Sequence, residues 1–150
     1  MASVRELDTS AARMRIALQS IGIRSANELP DAFSAMTKGR IEAIIVVGGP
    51  LMFAERKRIA ELANKQRLPA MYSATEYAEA GGLMSYAPSY RDLFRRAGVF
   101  VNRILKGANP AELPIEQPTT FELVINSITA RELGIVIPPA MLARADRVIR

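Results

Sequence analysis

The chain has 150 residues, 49% of them hydrophobic and 23% charged, with a formal net charge of +5. That length suits one globular domain, and the composition is neither that of a disordered chain nor of a fibrous one. The absence of cysteine excludes a disulfide scaffold, a thiolate metal site and a cysteine nucleophile, and the absence of histidine removes the commonest general acid–base and the commonest metal ligand.

Residues 2–13 read as a short helix with Val4, Leu7 and Ala11 on one face. Residues 16–23 fit two periodicities. A continued helix aligns Met14, Leu18 and Ile21, whereas a strand aligns Ala17, Gln19, Ile21 and Ile23; the strand is the expected form. The run SANE at 25–28 has capping-box spacing and Pro30 fits a first helical position, so a helix follows, with Phe33 and Met36 inward and Gly39 as its end. Residues 41–47 give the clearest strand, in which Ile44, Ile45, Val46 and Val47 form the β-branched run expected of a strand covered on both faces. Residues 52–66 predict one helix, with Ile59, Leu62 and Ala63 inward and Arg56, Lys57, Arg58 and Lys65 outward.

A short strand at 68–72, one or two helical turns at 75–80 closed by Gly81 and Gly82, and a strand at 83–86 come next. Residues 89–106 predict a long helix striped by Leu93, Ala97, Phe100, Val101, Ile104 and Leu105 and capped by Gly107. Residues 108–120 carry Pro110, Pro114 and Pro118 without any period, as in an extended connection over the surface. A strand at 121–126, a helix at 127–133 stopped by Gly134, and a last helix opened by Pro138 and Pro139 and running to about Val148 complete the chain. The alternation of strands and helices predicts an α/β layer fold with a mostly parallel sheet. The longest apolar run, 43–47, falls far short of the ~20 residues a membrane helix needs.

Ligands of open α/β sheets bind beyond the carboxyl ends of the strands. That rule singles out Gly48, Gly49 and Pro50, then Ser73, Ala74 and Thr75, then Ser85 and Tyr86 with Tyr90 at the next helix start. Hydroxyls, small residues and free backbone N–H groups suit a small anion, and Tyr86 and Tyr90 suit an apolar wall or a ring stack. Each also has a plainer reading: a strand-to-helix turn for the glycines, N-caps for Ser73 and Thr75, and packing for the tyrosines. No nucleophile stands beside a base, no phosphate loop or dinucleotide fingerprint is present, and neither a cofactor nor a metal is expected. The basic residues are scattered, at 56–58, 95–96 and 144–150, without interleaved aromatics, so nucleic acid is not an expected partner.

Several stretches, in this order, resemble the ABC transporter substrate-binding proteins of the tryptophan and aromatic amino-acid-binding-like group: RIAELA at 58–63, RLPA at 67–70, AGGLMSY at 80–86, DLFRRA at 92–97, ILKGA at 104–108, LPIEQPT at 113–119, FELVIN at 121–126, ARELGI at 130–135, IPP at 137–139 and LARAD at 142–146. The resemblance implies one Rossmann-like α/β/α lobe of a type I periplasmic-binding-protein fold, not an enzyme. It places Met1 near the start of the second lobe, so that residues 87–120 return towards a first lobe this chain does not carry. It further implies a small-molecule ligand such as an amino acid, bound at Gly49, Pro50, Ser73, Ala74, Thr75, Ser85, Tyr86 and Tyr90, and a permease that receives it outside the cytoplasm. Residues 1–10 contain no apolar export-signal core. With half the cleft, the chain is expected to bind ligand weakly or not at all and, through the uncovered helix at 89–106, to self-associate. The alternative is a cytoplasmic ligand-sensing domain of a transcriptional regulator, which shares the lobe fold.

Overall fold

The computed structural model describes the backbone of residues 2–150 and the side chains from Arg5 onward. The expected place of Val4 on the inner face of its helix therefore lies outside the described residues. Helices α1 (Ala2–Met14), α2 (Leu29–Lys38), α3 (Pro50–Ala54), α4 (Arg56–Lys65), α5 (Thr75–Glu79), α6 (Tyr90–Leu105), α7 (Ser127–Leu133) and α8 (Pro139–Arg144) alternate with strands β1 (Ile44–Val46), β2 (Ala70–Tyr72), β3 (Met84–Pro88), β4 (Phe121–Asn126) and β5 (Arg147–Ile149). The five strands form one sheet in the order β1-β2-β3-β4-β5, parallel throughout except between β3 and β4.

Strand pleating divides the sheet into two faces. Val46, Tyr72, Ser85 and Val124 stand in register on one, and Ile45, Met71, Met84 and Ile125 on the other. The first face meets α2, α4 and α5 in a core of Leu29, Phe33, Val46, Ile59, Ala63, Leu68, Ala70, Tyr72, Ala74 and Tyr77. Each large apolar side chain buried there contributes about 1.5–3 kcal/mol. The periodicity of α4 is obeyed, with Ile59 and Ala63 buried and Lys57, Arg58 and Lys65 exposed.

The helices α1, α2, α4, α5, α6 and α7 close in the same way. A left-handed residue follows the helix, and the next N–H donates to the carbonyl five residues back. Glycine takes the left-handed place at Gly81, Gly107 and Gly134, but arginine takes it at Arg15, Arg40 and Arg67. The bonds run from Ile16 to Ala11 (2.9 Å), Ile41 to Met36 (3.1 Å), Leu68 to Ala63 (2.9 Å), Gly82 to Tyr77 (2.8 Å), Ala108 to Arg103 (3.0 Å) and Ile135 to Ala130 (2.8 Å). Gly39, expected to end α2, keeps a right-handed backbone at φ −75°, and Arg40 makes the reversal instead.

Four expectations need correction. Residues 16–23 form no strand, because no neighbouring ladder lies against them among the described residues. The strand at 41–47 shrinks to Ile44–Val46 and is covered on one face only, since Ile45 is 53% exposed. The helix at 52–66 breaks at Glu55, whose φ of −87° and ψ of 10° leave the helical range, giving α3 and α4. The last helix stops at Arg144; Val148 lies in β5, where it pairs with Ile125.

Helix α6 has an apolar stripe and no buried residue: Phe94 is 76% exposed, Val101 55% and Leu105 81%. Its polar side is tied to the extended segment 108–120. Arg96 pairs with Glu116 and donates to Thr119 Oγ1 at 3.4 Å, and Thr120 Oγ1 donates to Asp92 Oδ2 at 3.3 Å. The hydrogen bond from Arg95 holds the Asp92 carboxyl below its ordinary range. Among the described residues no helix is long and apolar enough to cross a membrane.

Candidate functional site

Three strand ends meet on the edge where the parallel strands finish. Beyond Val46, the chain turns through Gly48 and Gly49 into α3, with Pro50 at its first position. Gly49 is extended at φ −171°, which any residue adopts, and a Cβ there would meet nothing within 4 Å. Gly48 is the position where size matters, because a Cβ on it would lie 2.7 Å from Ser73 Oγ. The two strand ends are therefore packed glycine against hydroxyl.

At the end of β2, the N-cap of α5 is Ala74, which has no side-chain acceptor to offer and is 3% exposed. Ser73 and Thr75 flank that position and neither caps the helix; Thr75 Oγ1 donates to Glu76 Oε2 at 3.3 Å. This outcome separates them from the plain capping role their sequence also allowed.

The third strand end places its two candidates on opposite faces. Ser85, paired with Tyr72 and Val124, is 0% exposed and its Oγ has no partner among the described residues. Tyr86 points the other way, is 54% exposed and stacks on Phe121 at 5.4 Å between centroids and 21° between planes. Extending the β2–β3 register by one residue sets Ser73 beside Tyr86. Sequence reasoning missed Phe121, because only the antiparallel β3–β4 register, which pairs it with Pro88, sets its ring diagonally beside Tyr86. Tyr90 begins α6 just after the buried N-cap Ser89, whose Oγ accepts from the Asp92 N–H at 3.4 Å, and Tyr90 itself is 48% exposed.

The strand ends thus offer an open aromatic pair, a neighbouring hydroxyl and two short helix starts without side-chain caps. They offer no acid–base pair. Among the described residues no group of acidic side chains is placed to hold a metal ion. A groove of about 320 Å³ lies elsewhere, between α6 and segment 108–120, lined by Arg95, Arg96, Val99, Phe100, Arg103 and Glu116. It shares no residue with the strand-end set.

Beneath the site, Tyr72 and Tyr77 stack at 4.8 Å, and Phe53 meets Tyr77 edge-on at 6.3 Å. Both hydroxyls are buried without a partner among the described residues. Burial pushes the Tyr72 hydroxyl far above its ordinary value and lifts that of Tyr77 to about 12, against the opposing pull of Arg56.

A mixed, mostly parallel sheet with its helices on the crossovers and its open residues at the strand ends is the class of periplasmic-binding-protein lobes. Solved structures agree. The chain superposes on a conserved domain protein from Vibrio cholerae with a TM-score of 0.88 at 28% identity, over 98% of this chain and 50% of that one. It superposes on an ABC domain in complex with L-Trp from Streptococcus pneumonia with a TM-score of 0.90 at 30% identity, over 99% of this chain and 50% of that one. The chain belongs to the family of ABC transporter substrate binding proteins, whose pattern it matches over residues 1–149. It is also 24% identical over 112 residues to a tyrosine-binding protein of Clostridioides difficile, covering 75% of this chain and 32% of that protein. The chain thus spans half or less of the length of these relatives.

Proposed function

We propose that this chain forms one wall of the ligand cleft in the substrate-binding component of an ABC-type importer, working outside the cytoplasm and delivering an amino acid to a permease. The observation that carries this reading is the likeness, at 30% identity over 99% of the chain, to a protein solved with L-Trp. On this reading Tyr86 with Phe121 supplies the flat apolar contact for a side chain. Gly49, Pro50, Ser73, Ala74, Thr75 and Tyr90 border the polar end, whereas the Ser85 side chain, buried on the opposite face of the sheet, has no access to a ligand there. Residues 1–150 are the second lobe, and residues 87–120 return to a first lobe against which the bare stripe of α6 packs. Ligand is held by hinge closure of the two lobes. One lobe alone binds weakly, and its uncovered α6 makes it self-associate.

The test is a titration of the isotope-labelled chain with L-Trp, L-Tyr and glycine, followed by amide chemical shifts. Millimolar-range shifts confined to residues 49–50, 73–75, 85–86, 90 and 121, larger for the aromatic ligands, are the expected result. Shifts confined to the groove at Arg95 and Arg103, or none at all, would overturn the reading.

A further inference from the structure

Helix α5 has five residues, too few to be stable by its own hydrogen bonds, so its place is set by what ties it to the rest of the chain. The ties gather at its C-terminal end. The Gly81 carbonyl accepts from Asn64 Nδ2 in α4 at 2.8 Å and from Thr129 Oγ1 in α7 at 2.9 Å, which fills both of its lone pairs. The Ala78 carbonyl accepts from Asn126 Nδ2 at 3.0 Å. Asn126 and Thr129 are buried, and Asn126 also joins the start of α7 to the start of β3. Its Oδ1 accepts from the Ile128 and Thr129 N–H groups at 3.0 and 3.1 Å, and its own N–H donates to Leu83 O at 2.8 Å. On the surface Arg147 pairs with Glu79 at 2.6 Å, a contact in water that contributes little.

The other end of α5 is bare. Ala74 at its N-cap has no side-chain acceptor, and Thr75 Oγ1 donates to Glu76. Yet this is the end that borders the strand-end cleft. The two ends are joined by bonds from the Tyr77 N–H to Ala74 O (3.3 Å), the Ala80 N–H to Glu76 O (3.0 Å) and the Gly82 N–H to Tyr77 O (2.8 Å), so a shift at one end is carried to the other. Burial of Tyr77 and Ala78 holds the helix against the sheet, but apolar contact is non-directional. The height and rotation of α5 therefore depend on the directional bonds at residues 78–81.

We propose that Asn64, Asn126 and Thr129 are positioning residues for the ligand edge: by fixing the carbonyls of Ala78 and Gly81, they set where residues 73–75 stand beside Tyr86. They act through α5, from its far end. This role rests on the strand ends being a ligand wall.

The experiment compares the parent chain with Asn64→Leu, Thr129→Val and their double variant, which keep the side-chain sizes and remove the donors to Gly81. Thr129→Ser, which keeps the hydroxyl, is the control. In the double variant, amide exchange at Ala80, Gly81 and Gly82 is expected to run about tenfold faster relative to exchange at Met71. Each single variant leaves Gly81 with one donor and is expected to show about threefold, so the measurement stands even if the double variant does not fold. Titrated with L-Trp, the variants are expected to show amide shifts at residues 73–75 smaller by on the order of twofold, while those at Tyr86 and Phe121 stay as in the parent. Thr129→Ser should match the parent in both measurements. Acceleration shared equally by Met71, or a parent-like ratio of shifts between residues 73–75 and Tyr86, would overturn the proposal alone. A parent chain with no L-Trp shift at any of these residues would overturn the ligand reading and this role with it.

Discussion

Asp146 and Leu123 exchange two hydrogen bonds: the Leu123 N–H donates to Asp146 Oδ2 at 2.7 Å, and the Asp146 N–H donates to Leu123 O at 2.9 Å. This double contact lies where α8 gives way to β5. It fixes the first rung of the parallel β4–β5 pair, which continues through Val124 with Arg147 and Ile125 with Val148. Asp146→Ala removes the side-chain acceptor and leaves the Leu123 N–H to water. Because the site is exposed, the cost is about 1 kcal/mol, read as a lower urea midpoint. Faster exchange at Val148 than at Met71 would show the effect to be local to β5; equal acceleration of both would contradict this account.

The arginines in left-handed positions carry a backbone penalty that glycine does not. Arg67→Gly keeps the bond from Leu68 to Ala63 and relieves φ 55°, so it is expected to raise stability by about 1 kcal/mol. Gly134→Ala is the reverse case. A Cβ there meets nothing within 4 Å, so its expected loss of about 1 kcal/mol is purely conformational. Chemical denaturation of the two variants checks the opposite signs.

Gly82 is required for space. A Cβ on it would stand 2.5 Å from Tyr72 Cε2 and 2.8 Å from the Tyr77 carbonyl oxygen, and a backbone atom cannot step aside cheaply. Gly82→Ala is expected to destabilise by roughly 1–3 kcal/mol through overpacking. Pairing it with Tyr72→Leu, which removes the ring, tests the cause: the double variant should lose less than the sum of the two single losses.

The buried tyrosine pair makes stability fall at alkaline pH. An ordinary tyrosine ionises near 10.0, whereas Tyr77 in the fold ionises near 12 and Tyr72 higher still. Both folded values are raised, so the unfolded chain loses these protons first. The contribution is fully present below pH 10 and is lost as pH rises towards 12 and beyond. The midpoint of urea unfolding should therefore drop across that window, and Tyr72→Phe with Tyr77→Phe should flatten the drop. At neutral pH the two replacements remove hydroxyls buried without partners among the described residues and are expected to be neutral or stabilising by about 1 kcal/mol.

The exposed stripe of α6 is the surface proposed for self-association, and it carries little of the folding energy. Phe94 and Leu105 are 76% and 81% exposed, so Phe94→Ser with Leu105→Ser should change stability by no more than about 0.5 kcal/mol. Sedimentation velocity should show larger species for the parent chain and a shift towards monomer for the double variant. An unchanged distribution would assign the contact to another surface.

What the sequence determined by itself was local and periodic. The apolar spacing of α4 and α6, the glycines after α5, α6 and α7 and the Asn126–Ser127 start of α7 could be read without coordinates, because each rests on contacts within a turn or two of chain, and the family likeness could be read from the order of its motifs. Tertiary structure decided what depends on a neighbour. Residues 16–23 alternate like a strand, yet no ladder forms without a second edge to receive their hydrogen bonds. Val148 fits a helical stripe, yet β4 and the Asp146 carboxylate draw it into a strand. Ser85 and Tyr86 are adjacent in sequence, but the pleat sends one hydroxyl into the core and the other ring onto Phe121, and only the β3–β4 register supplies that partner. Periodicity reports which side of an element is apolar; what lies against that side, or whether anything does, is set by the sheet as a whole.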